Sequence, residues 1–219
     1  MIHLIFTGGQ GPSCYDLEKA FSFLFGIDKN DKSQFYCIAS DSGATLASSC
    51  GFMPQHLIGD MDSISLSKLE ALKQESILID EYPQDKDDSD TLLALKRSYR
   101  DKKEATVLIG GGGGRVDHLL AIFQDLTLEC APDYWITDAN IMIVLKQIQS
   151  YKINLSKKST VSIFALEPFT RLETKGLKWE LNDSFNCSVR YSLSNVTCDD
   201  FFEIDLKAGK ALIVMPLSL

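Results

Sequence analysis

Thr106-Val107-Leu108-Ile109-Gly110-Gly111-Gly112-Gly113-Gly114-Arg115-Val116-Asp117-His118 is the stretch on which the fold turns. A short apolar run leads into five glycines, and an apolar pattern at helical spacing resumes over residues 116–128. Strand, glycine loop and helix in that order form one unit of an α/β fold. Five glycines between regular elements are costly in backbone entropy. They make sense where exposed N–H groups wrap an anion at a helix N-terminus. Arg115 fits phosphate recognition through its planar fork. The run is neither a Walker A loop, which needs Gly-Lys-Ser/Thr, nor G-x-G-x-x-G with a later acidic partner. His118 has no His or Cys neighbour at ligand spacing, so its default place is on the helix surface or in packing.

Upstream the same alternation repeats. Strands are expected at residues 2–6, 35–39, 57–58 and 77–79, and helices at 13–25, 44–49, 65–74 and 88–100. Leu17, Ala20, Phe21 and Leu24 share one face of the first helix, and Leu92, Leu95 and Tyr99 align on the last. This is a mostly parallel sheet with helices on both faces. After Asp138 the character changes. Short strands are expected at 141–145, 151–154, 160–164, 169–174, 177–181, 188–191, 201–205 and 211–215, with polar turns and no convincing helix between them. That spacing indicates a β-sandwich or barrel. The expected division is therefore an α/β domain over residues 1–138 and an all-β domain over 139–219.

In open α/β sheets ligands bind beyond the carboxyl ends of the strands, and three further clusters fall at such ends. Asp41-Ser42-Gly43-Ala44 follows the second strand; the bland reading is an ordinary capped turn. Gly59-Asp60-Met61-Asp62-Ser63 places two carboxylates two residues apart, on one side of an extended segment. At ~4 Å and an effective dielectric of ~20 they repel by roughly 4 kcal/mol, which a divalent cation offsets. Mg²⁺ commonly binds one or two carboxylates plus substrate phosphates; the alternative is a solvated acidic turn. Asp85-Lys86-Asp87-Asp88-Ser89-Asp90-Thr91 precedes an apolar helix. One Asp or Ser suffices as a cap, yet the stretch holds four Asp, so cation binding by the excess is plausible, and Lys86 is placed to reach a phosphate. Physics alone reaches a nucleotide or phosphate enzyme.

Composition narrows the class. The 219 residues carry 22 Lys plus Arg against 30 Asp plus Glu, a formal charge of −8. Such a chain is a poor general binder of nucleic acid, which demands dense basic patches. The apolar start is far shorter than a signal peptide's core, and no run approaches the ~20 residues of a membrane span. Six cysteines are scattered without a C-x-x-C pair, which argues against structural zinc and a disulfide framework. A cytoplasmic protein with reduced thiols is expected.

The clusters in their order, with Gly176-Leu177-Lys178-Trp179 and Ser194-Asn195 in the second half, resemble thiamin pyrophosphokinase over nearly the whole chain. Each motif is weak alone; six in sequence are specific. Thr45 stands where many members have Asn and Met61 where Phe is usual, and the glycine run is longer than normal. The resemblance implies pyrophosphate transfer from ATP to the thiamin hydroxyl. It also implies an N-terminal α/β domain and a C-terminal β-sandwich, joined in a homodimer with active sites between subunits. Asp60, Asp62 and Asp90 are then assigned to Mg²⁺, with Asp87 and Asp88 as further candidates. Asp41, Gly43, Lys86, Gly112, Gly113, Gly114 and Arg115 are assigned to ATP and its phosphates. Asp117, Trp179, Ser194 and Asn195 are assigned to thiamin. By composition and spacing alone, Trp179 reads as core, sharing a strand face with Leu177 and Leu181, and Ser194-Asn195 reads as a hairpin turn. A related pyrophosphokinase for a pterin-like hydroxymethyl heterocycle, a non-catalytic thiamin or nucleotide sensor, and a metal-dependent phosphohydrolase are the competing readings.

Overall fold

The computed structural model describes residues 1–28, 31–62, 64, 75, 77–101, 103–182 and 191–218. They form two compact units, Met1–Ala139 and Asn140–Leu219. In the first, β1 (Ile2–Phe6) is buried along its whole length, as a strand covered on both faces must be. It pairs in parallel with β2 (Phe35–Ser40) on one side and, on the other, with β5 (Ala105–Ile109). β3 (His56–Gly59) and β4 (Leu78–Glu81) extend the β2 side, and β6 (Tyr134–Ile136) the β5 side. The chain steps outward from β1 to β4 and then returns to the opposite side of β1. The strand order therefore reverses between β1 and β5, which is where open α/β sheets leave a ligand crevice.

Helix α1 (Cys14–Phe25) starts at Ser13, whose hydroxyl accepts the Asp16 N–H, and stops at Gly26 in the left-handed conformation. Leu17, Ala20 and Phe21 are its buried face. The Phe21 ring stacks on Phe35 at 5.2 Å and meets Phe52 edge-on at 6.3 Å. Each large side chain buried in this way contributes about 1.5–3 kcal/mol. Helix α2 (Gly43–Ser49) follows β2, and α3 (Asp90–Tyr99) is capped by Ser89, whose hydroxyl accepts the Leu92 N–H at 3.1 Å. The buried stripe of α3 is Ala94, Leu95 and Ser98, not the expected Leu92, Leu95 and Tyr99. Ser98 is turned inward to meet His3 Nδ1 at 3.0 Å and Thr106 Oγ1 at 3.1 Å. That rotation leaves Tyr99 outside, under the Lys103 ammonium. Helix α4 (Val116–Asp125) buries Ile122 and Asp125 and exposes Val116, Leu119 and Leu120. The helix expected over 65–74 lies outside the described residues. Among the described residues no helix is long and apolar enough to cross a membrane.

The second unit contains β7 (Asn140–Leu145), β8 (Ser150–Asn154), β9 (Thr160–Ala165), β10 (Arg171–Lys175), β11 (Tyr191–Val196), β12 (Phe201–Ala208) and β13 (Ala211–Pro216). They pair antiparallel in the orders β11-β9-β13-β7 and β10-β12-β8. Phe202, Ile204 and Leu206 alternate inward along β12, as do Leu172 and Thr174 along β10. This is the period of a sheet with one buried face. The all-β architecture is as expected, but the strand expected over 177–181 does not form. Glu180 Oε1 turns back to accept the Gly176 and Leu177 N–H groups at 2.8 and 3.2 Å. That segment thereby leaves the ladder, apart from one bridge between Leu177 and Thr197. Of the strand expected at 188–191, only Tyr191 falls within the described residues, where it opens β11. The three-residue β6 had no counterpart in the sequence reading. Cys37 is buried in the core, and burial pushes its thiol far up, as expected for an inert small apolar residue.

Candidate active site

A cavity of about 950 Å³ opens at the carboxyl ends of β1, β2, β3 and β5 in the first unit. One wall is built from two loops bonded to each other. Thr7 N–H reaches Ile109 O at 2.9 Å, Gly111 N–H reaches Gly8 O at 2.8 Å, and Gln10 and Gly112 exchange main-chain bonds of 2.6 and 2.9 Å. The buried Trp135 indole donates to Gly110 O at 2.8 Å and fixes the root of the loop. Gly112 was expected among the phosphate binders, but its main chain is engaged with Gln10. Gly113 and Gly114, both at positive φ, line the cavity. Gly43 does not line it. A Cβ at this position would lie 2.1 Å from Phe6 O, so this glycine serves the close approach of α2 to β1.

The opposite wall is acidic. Parallel pairing of Ser40 with Ile58 brings the end of β2 level with the end of β3. Asp41 N–H then bonds Ile58 O at 3.1 Å, and Asp41 Oδ1 accepts the Met61 N–H at 3.3 Å. Asp60 Oδ1 accepts the Asp62 N–H at 3.2 Å, and Gln84 Nε2 donates to Asp62 Oδ2 at 3.0 Å. Carboxylate oxygens of Asp41, Asp60 and Asp62 lie within 4.8 Å of one another. Asp60 and Asp62 therefore meet as expected, joined by Asp41. Asp90, expected as the third ligand, is not in that trio; it faces the Lys86 ammonium at 3.0 Å, and that same ammonium lies 3.6 Å from Asp60 Oδ2. Asp87 and Asp88 both line the cavity, and Asp88 pairs with Lys96 of α3 at 2.5 Å.

The electrostatics follow from this crowding. Burial, reinforced by Asp90, pushes the Asp41 carboxyl up to about 7. The Asp62 N–H holds Asp60 below the ordinary carboxylate range, while Asp60 in turn raises Asp62. A carboxyl raised in this way keeps a proton in the folded chain that the unfolded chain has already lost. Its ionisation therefore weakens the metal-free fold as pH rises from the ordinary carboxylate range toward 7. A cation needs the ionised form, so Mg²⁺ is expected to expel protons on binding at pH 6.5 and to expel few at pH 8.5. Calorimetric titration in two buffers of different ionisation enthalpy measures this; equal heats in both buffers at pH 6.5 would contradict it.

Arg115 and Asp117 sit at the cavity lip, bonded to each other at 3.1 and 2.5 Å, and both are exposed. The pairing raises Arg115 and lowers Asp117. In the second unit Trp179 is 54 % exposed, so it is not a core residue, and the Lys178 ammonium stands 4.5 Å from its ring centroid. Asn195 is fully buried. Ser194 adopts a positive φ of 52° and donates its N–H to Ser162 Oγ. Sequence reasoning missed Thr7, Gln10 and Gln84, which hold or line the cavity. The Thr7-Gly8-Gly9-Gln10 run at the carboxyl end of the first strand carried the signal for two of them.

A family model described as thiamin pyrophosphokinase, catalytic domain, matches residues 27–135, and one described as thiamin pyrophosphokinase, vitamin B1 binding domain, matches residues 147–210. The chain belongs to the thiamin pyrophosphokinase family. The thiamine pyrophosphokinase of Bacillus subtilis is 26 % identical over 170 residues, covering 74 % of this chain and 75 % of that protein. Among solved structures, the thiamin pyrophosphokinase family protein of Enterococcus faecalis superposes with a TM-score of 0.77 at 21 % identity, covering 98 % of each chain. The Bacillus subtilis thiamine pyrophosphokinase structure gives 0.77 at 18 % identity over 100 % of each chain. Yeast thiamin pyrophosphokinase gives 0.67 at 18 % identity over 98 % of this chain and 86 % of that one. At these identities the structures establish a shared fold. The family assignment rests on the two domain models, which between them take in both halves of the chain.

Proposed function

We propose that the protein transfers pyrophosphate from ATP to the hydroxyl of thiamin, giving thiamin diphosphate and AMP. One observation carries the reading beyond family membership. The acidic wall of Asp41, Asp60, Asp62 and Asp90, with Lys86 set among it, faces Gly113 and Gly114 across the crevice where the strand order reverses. Attack of the hydroxyl on the β-phosphorus, with AMP leaving, asks the protein mainly for positioning and charge stabilisation. In this reading Gly113, Gly114 and Lys86 hold phosphate oxygens, and Arg115 would join them on exchanging its Asp117 partner for phosphate. Asp117, freed of that pair, is then available to thiamin.

The all-oxygen donor set of Asp41, Asp60 and Asp62 fits Mg²⁺, a hard cation. Bound there, the metal would supply positive charge against the developing negative charge of the phosphoryl oxygens. Asp90 belongs to the same site through Lys86. We place thiamin against Trp179, whose exposed face suits a permanently cationic thiazolium. The protein acts as a cytoplasmic homodimer in this reading, and the exposed Val116, Leu119 and Leu120 of α4 supply an apolar surface that a second copy would cover.

A coupled AMP assay with ATP and Mg²⁺, run with and without thiamin, tests the reaction. AMP that depends on thiamin is the expected result. AMP with a hydroxymethylpterin alone, phosphate release without thiamin, or binding without turnover would each replace it, with a pterin enzyme, a hydrolase or a sensor respectively. Trp179→Ala is expected to raise KM for thiamin by roughly tenfold or more, with KM for ATP within about twofold of wild type. Equal losses for both substrates would show that Trp179 serves the fold instead.

A further inference from the structure

Trp179 is a large aromatic side chain presented to solvent from a segment that belongs to no strand, and such a segment needs something to hold it. Asn195, with no exposed surface, spans the main chain of that one residue. Its Nδ2 donates to Trp179 O at 2.7 Å, and its Oδ1 accepts the Trp179 N–H at 3.1 Å. The same Oδ1 accepts the Val196 N–H at 2.9 Å, and Nδ2 also reaches Ser192 Oγ at 3.3 Å. A carboxamide is the side chain that offers an acceptor and a two-hydrogen donor on one planar group. Both ends are used here on the peptide groups flanking a single residue.

The local distortion of β11 makes this reach possible. Its register against β9 shifts between Ser192, opposite Ile163, and Asn195, opposite Val161. Two residues of β11 thus stand against one of β9. Ser194 takes the positive φ, with its N–H satisfied by Ser162 Oγ at 3.0 Å. A bulge re-aims the side chain that follows it, and here it turns Asn195 inward, beneath Trp179. The next residue, Glu180, fastens the Gly176–Leu177 turn and also accepts from Thr174 Oγ1 at 2.8 Å. The Trp179 main chain is therefore held by the buried Asn195, and the turn that precedes it by Glu180.

We infer that Asn195 is a positioning residue that fixes the Trp179 main chain, so that the indole is preorganised as a stacking platform for the flat cationic substrate. It acts through Trp179 rather than on thiamin directly, the latter being the role the resemblance implies for it. Ordering the platform before binding removes a cost that would otherwise fall on substrate affinity. The inference rests on the thiamin reading for its kinetic consequence and stands apart from it for its structural one.

The test uses the full-length protein labelled with 5-fluorotryptophan, in which the buried Trp135 gives a second ¹⁹F resonance as an internal control of the fold. In Asn195→Asp, which keeps the acceptor and loses the donor, and in Asn195→Ala, the Trp179 resonance is expected to shift and change width while that of Trp135 stays in place. KM for thiamin is expected to rise at least about tenfold, with KM for ATP within about twofold of wild type. An unmoved Trp179 resonance in both variants would overturn the inference. So would a loss of both substrates in parallel with a displaced Trp135 signal, since that is the mark of a general folding role. If wild-type protein forms no thiamin-dependent AMP, the functional reading fails by itself, and the ¹⁹F comparison, made without ligand, still decides the clamp.

Discussion

Asp62→Asn is expected to lower thiamin-dependent AMP formation by roughly 10²–10³-fold, the scale of losing one preorganised electrostatic group in a reacting site, while the unfolding temperature stays within about 2 °C of wild type. The two halves of this expectation have separate causes. Asp62 is exposed and its carboxylate touches Gln84 rather than the core, so the fold loses little. Its oxygens belong to the only trio of carboxylates found close enough to share an ion among the described residues. Replacing one oxygen by an amide nitrogen removes a charge and a ligand without changing shape. A steady-state AMP assay over a range of Mg²⁺ checks it, and wild-type turnover at limiting Mg²⁺ would remove Asp62 from the metal site.

Gly59→Ala is expected to be worse than its size indicates. Gly59 holds φ at 148°, and a Cβ there would lie 1.9 Å from Asp41 Oδ1 and 2.5 Å from its Cγ. The backbone conformation alone costs an alanine about 1–3 kcal/mol. For a chain of this size that lowers the unfolding temperature by very roughly 2–10 °C. The added carbon also evicts the Asp41 carboxylate from the cluster, so turnover falls with stability. Asp41→Asn separates the two effects, because it abolishes the charge and leaves Gly59 in place. Thermal unfolding and AMP formation measured on both variants should show activity lost in each and stability lost chiefly in Gly59→Ala. A Gly59→Ala protein with wild-type melting and activity would refute the steric account.

The parallel sheet was legible because buried parallel strands are near-continuous apolar runs, and residues 2–6 and 106–109 carry no competing pattern. The site was legible where a cluster is dense in one residue type, as in Asp60-Met61-Asp62 or the glycine run. Partnerships between clusters were not. Asp41 joins Asp60 and Asp62 through the register of β2 on β3, a relation between residues about twenty apart that no local pattern encodes. Gln10 meets Gly112 through the adjacency of β1 and β5, across more than a hundred residues. β6 escaped notice because three residues after Pro132-Asp133 are too few to show a period. The false strand at 177–181 arose because Leu177, Trp179 and Leu181 alternate with polar residues as in a half-buried strand. The alternation was real, but Glu180 spends the main-chain donors on itself.

The rung between Gln10 and Gly112 has a mechanical consequence. The lips of β1 and β5 are tied by main-chain bonds at Thr7, Gly8, Gln10 and Gly111 as well, so that side of the mouth cannot widen without breaking several of them together. The opposite jaw has main-chain ties at its root, Asp41 to Ile58 O and Tyr82 to Gly59 O, and beyond them is joined through side chains, Gln84 to Asp62 and Lys86 to Asp60 and Asp90. Adjustment to bulkier or smaller guests is therefore expected at the tips of the carboxylate-bearing jaw, with the glycine-bearing one as the anvil.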